Sequence, residues 1–281
     1  MSARLYRRPS IAVVLLGLAL FVAWTHAAAQ QQGSRLFAVI GIPSEIAPVE
    51  ARLEAATVTR VQGIVFTSGT IAGARIVAVR AGVGKVNAAM AATLLVDHFA
   101  PSTVIFTGTA GAIDADLNPG DVVIGTAVGY YDFGSVTAGG FVRSPTRNPV
   151  SGRIDPAFFP AGPELLAAAR RAAGTVKPQR PDLETGPTPR IREGLIVTGD
   201  AFVSSPSRRA ELRRELNASA VEMEGAAVAQ VCVRFGVPII VIRSITDRAD
   251  GDAVGSYQRF VNVASRNAAD LALATIHELL K

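Results

Sequence analysis

Ala220-Val221-Glu222-Met223-Glu224-Gly225-Ala226-Ala227 runs from an apolar pair through two acids into a string of small residues. Beyond it lies an apolar segment, 237–242, closed by Arg243-Ser244-Ile245-Thr246-Asp247. Glu222 and Glu224 stand at i and i+2, which sets both on one side of an extended segment just before the small residues start a helix. Ionised carboxylates only accept hydrogen bonds, so two of them converging in a partly dry cleft suit a vicinal diol, which offers two donors. Asp247 ends an apolar strand, and α/β enzymes place their chemistry beyond the carboxyl ends of strands.

Outward from this stretch, strands and helices alternate. Leu36–Gly41 is a continuous apolar run ending in glycine, the pattern of a strand buried on both faces. A short helix carrying Val49 and Leu53 follows, then strands over 58–66 and 74–79. Gly82-Val83-Gly84-Lys85 breaks the pattern ahead of an alanine-rich helix over 86–99. Residues 103–107 read as the next strand, closed by a small-residue turn, Gly108-Thr109-Ala110-Gly111, and 121–128 as another. Further on come a strand over 194–198, a charged helix over 207–216 capped by Ser205 or Ser207, the helix Gly225–Phe235, and a long helix over 262–280. The alternation predicts one α/β domain over 34–281 with helices on both faces of a sheet.

Between 130 and 192 nine prolines interrupt the chain. Pro163–Ala173 alone reads as helical there, opened by proline and stopped by Gly174. The stretch around 138–192 is expected to be a proline-rich insertion of surface loops around that helix.

Composition narrows the function. Residues 1–29 have the form of a cleaved secretory signal: Arg4, Arg7 and Arg8, an apolar run over 11–24, then Ala27-Ala28-Ala29. That implies a periplasmic or secreted protein, with no membrane attachment once the segment is removed. Its removal leaves 25 basic against 23 acidic residues, a charge of +2. No lysine-rich run with interleaved aromatics supports nucleic-acid binding. Cys232, the only cysteine in the sequence, lies in an apolar run and reads as a small core residue. His98 and His277 sit in helical patterns, and no His/Cys cluster has metal-ligand spacing, so neither metal nor cofactor is expected.

Five segments occur in the order characteristic of one family: Ala81-Gly82-Val83-Gly84-Lys85-Val86, Thr107-Gly108-Thr109-Ala110-Gly111, Thr198-Gly199-Asp200-Ala201-Phe202, Val221-Glu222-Met223-Glu224 and Arg243-Ser244-Ile245-Thr246-Asp247. In these the chain resembles the nucleoside phosphorylase and nucleosidase superfamily, and within it the 5′-methylthioadenosine/S-adenosylhomocysteine nucleosidases. The resemblance implies a three-layer α/β domain whose central mixed sheet is partly barrel-like, a purine nucleoside as small-molecule ligand, and a homodimer.

It also implies roles. Breaking an N-ribosyl bond leaves charge on the purine, and Asp247 as a carboxylic acid at N7 would neutralise it, a contribution of about 10²–10⁴-fold. A favoured helix cap is the plainer reading of the same aspartate. Glu224 would hold the ribose hydroxyls, with Met223 packed on the sugar and Glu222 beside them. The attacking water needs an acceptor for its proton, and Glu45 is the candidate, although it stands one residue nearer Gly41 than the family pattern Gly-Ala-Met-x-x-Glu. By itself Glu45 would read as a first-turn helix acid. Phe202 would stack on the base, with the Val203 backbone at its edge and Tyr257 against the sugar. Thr109, Val83 and Thr246 complete the expected binding set.

Phosphorylases of the hexameric kind carry an arginine just before the Gly-Ser/Thr-x-Gly turn, a natural bidentate clamp for phosphate. Here the place is Phe106-Thr107, which favours water as the nucleophile. Gly82-Val83-Gly84-Lys85 lacks the spacing and final Ser/Thr of a phosphate-binding P-loop. The expectation is therefore an exported purine-nucleoside hydrolase, with a phosphate-dependent phosphorylase and a non-catalytic nucleoside-binding or storage protein as the alternatives.

Overall fold

The first strand, β1 (Leu36–Gly41), is buried along nearly its whole length, as its unbroken apolar run requires. The structure is a computed structural model that describes residues 35–181 and 187–281; the expected signal segment lies outside the described residues. Residues Leu36–Lys281 form one unit. After β1 come α1 (Pro43–Glu50), β2 (Glu54–Val61), β3 (Ile64–Ile71), β4 (Ala74–Arg80), α2 (Lys85–Phe99) and β5 (Thr103–Ala112). Then follow β6 (Val122–Tyr130), the hairpin β7 (Gly134–Thr137) and β8 (Gly140–Arg143), β9 (Phe159–Pro160) and α3 (Pro163–Ala173). The chain ends with β10 (Ile191–Thr198), α4 (Pro206–Leu216), β11 (Ala220–Glu222), α5 (Gly225–Phe235), β12 (Ile239–Asp247) and α6 (Ala253–Leu279).

The large sheet runs β11-β10-β6-β12-β5-β1-β4-β3-β2. β11 also pairs antiparallel with β5, so β5, β12, β6, β10 and β11 close on themselves while β1 to β4 extend as an open, mixed sheet. Closure removes the exposed edges of these strands and turns their ends toward a common mouth. Helices α2 and α5 cover one face, and α1, α3 and α6 cover the other, each over its own apolar cluster.

Several expectations need correction. The short helix expected to carry Val49 and Leu53 starts at Pro43 and ends at Glu50, so Leu53 lies outside it. The single strand expected over 58–66 is a hairpin, because Gln62 and Gly63 both take positive φ, 49° and 83°, the signature of a tight hairpin turn that Gln-Gly does not advertise. The turn expected after residue 107 does not exist: β5 runs on to Ala112, and its glycines serve close contacts described below. The C-terminal helix starts nine residues before 262, since the Asp252 carboxylate bonds Ser256 Oγ at 3.1 Å across its first turn.

The proline-rich stretch is more than surface loop. Pro163 opens α3 as expected, but Leu165, Ala168, Ala169 and Ala172 of that helix are buried in the cluster shared with α6. Phe159 is also in the core, on a short strand paired with β6. Three of these four residues are alanines, next to Arg170 and Arg171, and such a face does not show as an apolar run. The cap expected at Ser205 is present, accepting the Arg208 N–H at 3.3 Å. Leu165→Ala should lower unfolding stability by about 2–5 kcal/mol in urea denaturation, as for other buried leucines; a loss under 0.5 kcal/mol would mean that α3 rests on the surface.

Candidate active site

Glu45 occupies the first turn of α1, behind Pro43 at the helix start. Its Oε2 accepts the Ile42 N–H at 3.2 Å, as a first-turn acid can, while its Oε1 accepts both the N–H (2.8 Å) and the hydroxyl (2.7 Å) of Thr109 on β5. The helix-acid reading and the cavity reading therefore both hold. Glu45 is 5 % exposed, and burial raises its carboxyl above the ordinary value against the opposing pull of Arg243.

Asp247 is carried by a β-bulge. The pairing of β12 with β5 slips between Ile245 and Asp247, leaving Thr246 as the extra residue and turning the aspartate into the cavity. Its Oδ1 accepts the Ala249 N–H at 2.9 Å, so it also organises the turn after the strand. Its Oδ2 faces the Thr246 hydroxyl at 2.8 Å, and that hydroxyl lies 3.3 Å from the Ala110 carbonyl. The threonine can thus donate to an ionised Asp247, or donate to Ala110 and accept from a protonated one. Burial raises the Asp247 carboxyl, favouring the protonated form.

The two acids of the opening stretch divide their work. Glu222 ends β11 with its oxygens committed: Oε1 to Thr198 Oγ1, and Oε2 to Arg243 Nη2 (2.6 Å) and the Gly225 N–H (2.7 Å). The expectation that both acids grip one diol therefore fails, because Arg243 claims Glu222. Glu224, at the N-cap of α5, accepts the Gly84 N–H at 2.7 Å through Oε1. Burial and the neighbouring Glu222 push its carboxyl from 4.5 up to about 7.

Arg243 is the residue to which the sequence assigned no role. It is 1 % exposed, and its guanidinium lies 4.0 Å from the centroid of the Phe106 ring. Burial disfavours its charge, but Glu222, Glu45 and Glu224 outweigh that and keep it cationic. A Cβ at Gly108 would lie 2.5 Å from both Arg243 Nη1 and Glu45 Oε2, and one at Gly111 would lie 2.8 Å from Asp247 Oδ1. These glycines make room for charged groups. The legible signal was an arginine inside an otherwise apolar strand in a chain with acids to match; Thr198, which ties Glu222 to the Ala226 N–H (2.9 Å), gave none.

The four acids, with Thr109 and Thr246, meet at one cavity of about 480 Å³. Its lining includes each expected site residue: Glu45, Glu224 and Asp247; Thr109, Thr246 and Val83; Glu222, Met223, Phe202, Val203 and Tyr257. The early start of α6 adds Val254 and Gln258, which share a helix face with Tyr257. Phe202 and Tyr257 meet edge to face at 6.0 Å. Among the described residues no lysine or arginine lines the cavity. Phe106 does not line it either; it forms the floor under Arg243. Among the described residues no group of three or more His, Cys, Asp or Glu is placed to hold a metal ion.

A family model described as "Phosphorylase superfamily" matches residues 35–277. A 5′-methylthioadenosine/S-adenosylhomocysteine nucleosidase of Anoxybacillus flavithermus is 38 % identical over 246 residues, 87 % of this chain and 99 % of that one. The chain belongs to the 5′-methylthioadenosine/S-adenosylhomocysteine nucleosidase family of the phosphorylase superfamily. By family it is an N-glycosyl hydrolase. The crystal structure of such a nucleosidase from Neisseria meningitidis, in complex with methylthio-immucillin-A, aligns with a TM-score of 0.74 at 35 % identity, covering 86 % of this chain and 98 % of that one. Futalosine hydrolase of Helicobacter pylori aligns at 0.72 with 30 % identity, covering 87 % and 98 %.

Glu224 supplies a test of these electrostatics. A carboxyl raised in the folded state stabilises the fold fully below its unfolded value, and that contribution is lost as pH rises from about 4.5 to about 7. Between pH 4.5 and 7.5 the stability of Glu224→Gln relative to wild type should therefore rise, by on the order of 1–3 kcal/mol. Denaturant midpoints across that range measure it, and a flat or falling difference would contradict the burial of an uncompensated acid.

Proposed function

We propose that the chain hydrolyses the N-ribosyl bond of 5′-methylthioadenosine, S-adenosylhomocysteine or a closely related adenine nucleoside to free base and sugar. The observation that carries this reading is the convergence of Glu45 from the first turn of α1, Glu224 from the N-cap of α5 and Asp247 from the end of β12 on a cavity with no cationic lining residue among the described residues. The base lies between Phe202 and the Val203 backbone, within reach of Asp247. Glu224, held on one oxygen by Gly84, offers the other to the ribose hydroxyls, and Met223 packs on the sugar. Water attacks C1′ as the bond to N9 breaks; Glu45 takes the water's proton, Asp247 gives its own to N7, and the bonding pair leaves with the base.

Phosphate is a poor alternative nucleophile here. Four acids line the cavity, and the nearby cation, Arg243, is already paired with Glu222. A dianion would enter a field of its own sign. A non-catalytic binding protein would have no need of a raised Asp247 carboxyl on a bulge aimed at the ligand.

Adenine release from 5′-methylthioadenosine should run at the same rate with and without phosphate, and Asp247→Asn should lower kcat by about 10²–10⁴-fold while still binding nucleoside. Phosphate-dependent turnover would convert the reading to a phosphorylase; a fully active Asp247→Asn would end the proton-donor role.

Two further elements belong to this proposal. Val83, Val86 and Met90 are exposed along the start of α2 beside the cavity, Val86 at 78 %, an apolar strip suited to a second copy of the chain. Light scattering should give twice the mass of one chain, and Val86→Glu should give a monomer; a wild-type monomer would remove the dimer. Export follows from the form of residues 1–29, and mature protein sequenced from a periplasmic fraction should begin near residue 30. Recovery of the intact N-terminus from the cytoplasm would refute it.

A further inference from the structure

Helix α2 starts without a cap of its own. Gly84 is its N-cap, at φ 90° and ψ 160°, and has no side chain to accept a bond. Two successive N–H groups leave that turn in different directions. The Gly84 N–H goes to Glu224 Oε1 at 2.7 Å, and the Lys85 N–H goes to Asp200 Oδ1 at 2.8 Å. Asp200 lies 115 residues downstream, just past β10.

Asp200 is itself fixed. Its N–H donates to Asp132 Oδ2 at 2.8 Å, and Lys85 Nζ bonds both Asp132 oxygens at 2.8 Å while lying 3.5 Å from Asp200 Oδ2. The next three residues, 201–203, form the cavity wall that carries Phe202 and Val203. Val83, which also lines the cavity, belongs to the turn that Asp200 caps.

We propose that Asp200 is a positioning residue: by capping α2 from a distance, it sets the Gly84 amide on Glu224 and the Phe202–Val203 wall in one register. The directional bond from the Lys85 N–H is the working part. Asp200 is 48 % exposed at its side chain, and an ion pair that open to solvent contributes little by itself. The Gly84 bond also lowers the Glu224 carboxyl against the burial that raises it, so a Gly84 turned away lets that carboxyl climb.

The assay arm of the test rests on the proposed nucleosidase reading; the exchange arm does not. In Asp200→Ala, KM for 5′-methylthioadenosine should rise about tenfold and the acid limb of kcat/KM should move to higher pH, the effect of losing one charge-assisted bond. Asp200→Asn keeps an oxygen for the Lys85 N–H and should restore KM to within about threefold of wild type and return the limb. Amide hydrogen exchange over 83–86 and 200–203 should quicken together in Asp200→Ala and revert in Asp200→Asn.

Unchanged exchange in Asp200→Ala, or equal quickening in both variants, overturns the proposal whether or not the protein turns over nucleoside. Unchanged KM and limb in Asp200→Ala, with active wild type, overturns it too. Inactive wild type sinks only the nucleosidase reading, and exchange then decides the role of Asp200.

Discussion

The site is built around a buried ion pair, Arg243 with Glu222, on the ring of Phe106. Taking two charges out of water is costly, and a pair so deep contributes to stability only where its remaining hydrogen-bonding capacity is met. Glu222 meets that condition through Thr198 and the Gly225 amide. Arg243 does so only in part: among the described residues Nε and Nη1 have no hydrogen-bond acceptor, and the guanidinium is compensated by the aromatic face and by the field of Glu45 and Glu224. A cation held this way allows three glutamates to occupy neighbouring positions with little solvent. Without it their mutual repulsion would keep them protonated or apart.

This arrangement also separates roles that the chain places side by side. Glu222 and Glu224 differ by two positions and share burial, yet one is consumed by the arginine and the other is left with an oxygen for a ligand. The division depends on closure of the barrel. Because β11 returns to pair with β5, Glu222 is brought over Arg243 of β12, which also pairs with β5, and Gly108 on β5 lacks the Cβ that would fill the space. Asp247 reaches the same cavity by a different device, the extra residue in β12, which turns a strand-end aspartate inward while a turn amide holds its outer oxygen.

The resulting chemistry is that of carboxyl groups kept away from water. Burial raises Glu45, Glu224 and Asp247 alike, and what distinguishes them is their donors. Glu45 accepts three bonds from Thr109 and Ile42, which favour its ionised form. Asp247 faces a threonine hydroxyl able to turn either way, which accommodates both its protonated and its ionised form.

The sequence by itself determined the alternation of strands and helices, the proline at the start of α3, a serine cap for α4, and the acids and aromatics that line the cavity, because each is written locally in periodicity, end signals or a short motif. Even Glu45, one residue nearer Gly41 than the family pattern places it, remained legible from the residues around it. The hairpin at Gln62-Gly63, the burial of α3, the early start of α6, the commitment of Glu222 and the work of Arg243 were decided only by the tertiary structure. A positive φ at glutamine, an alanine face interrupted by arginines, and an arginine inside an apolar strand each have several readings until the neighbours are known. For Glu222 and Arg243 what separates those readings is the pairing of β11 with β5, a contact between distant segments, and no local pattern specifies where such a contact forms.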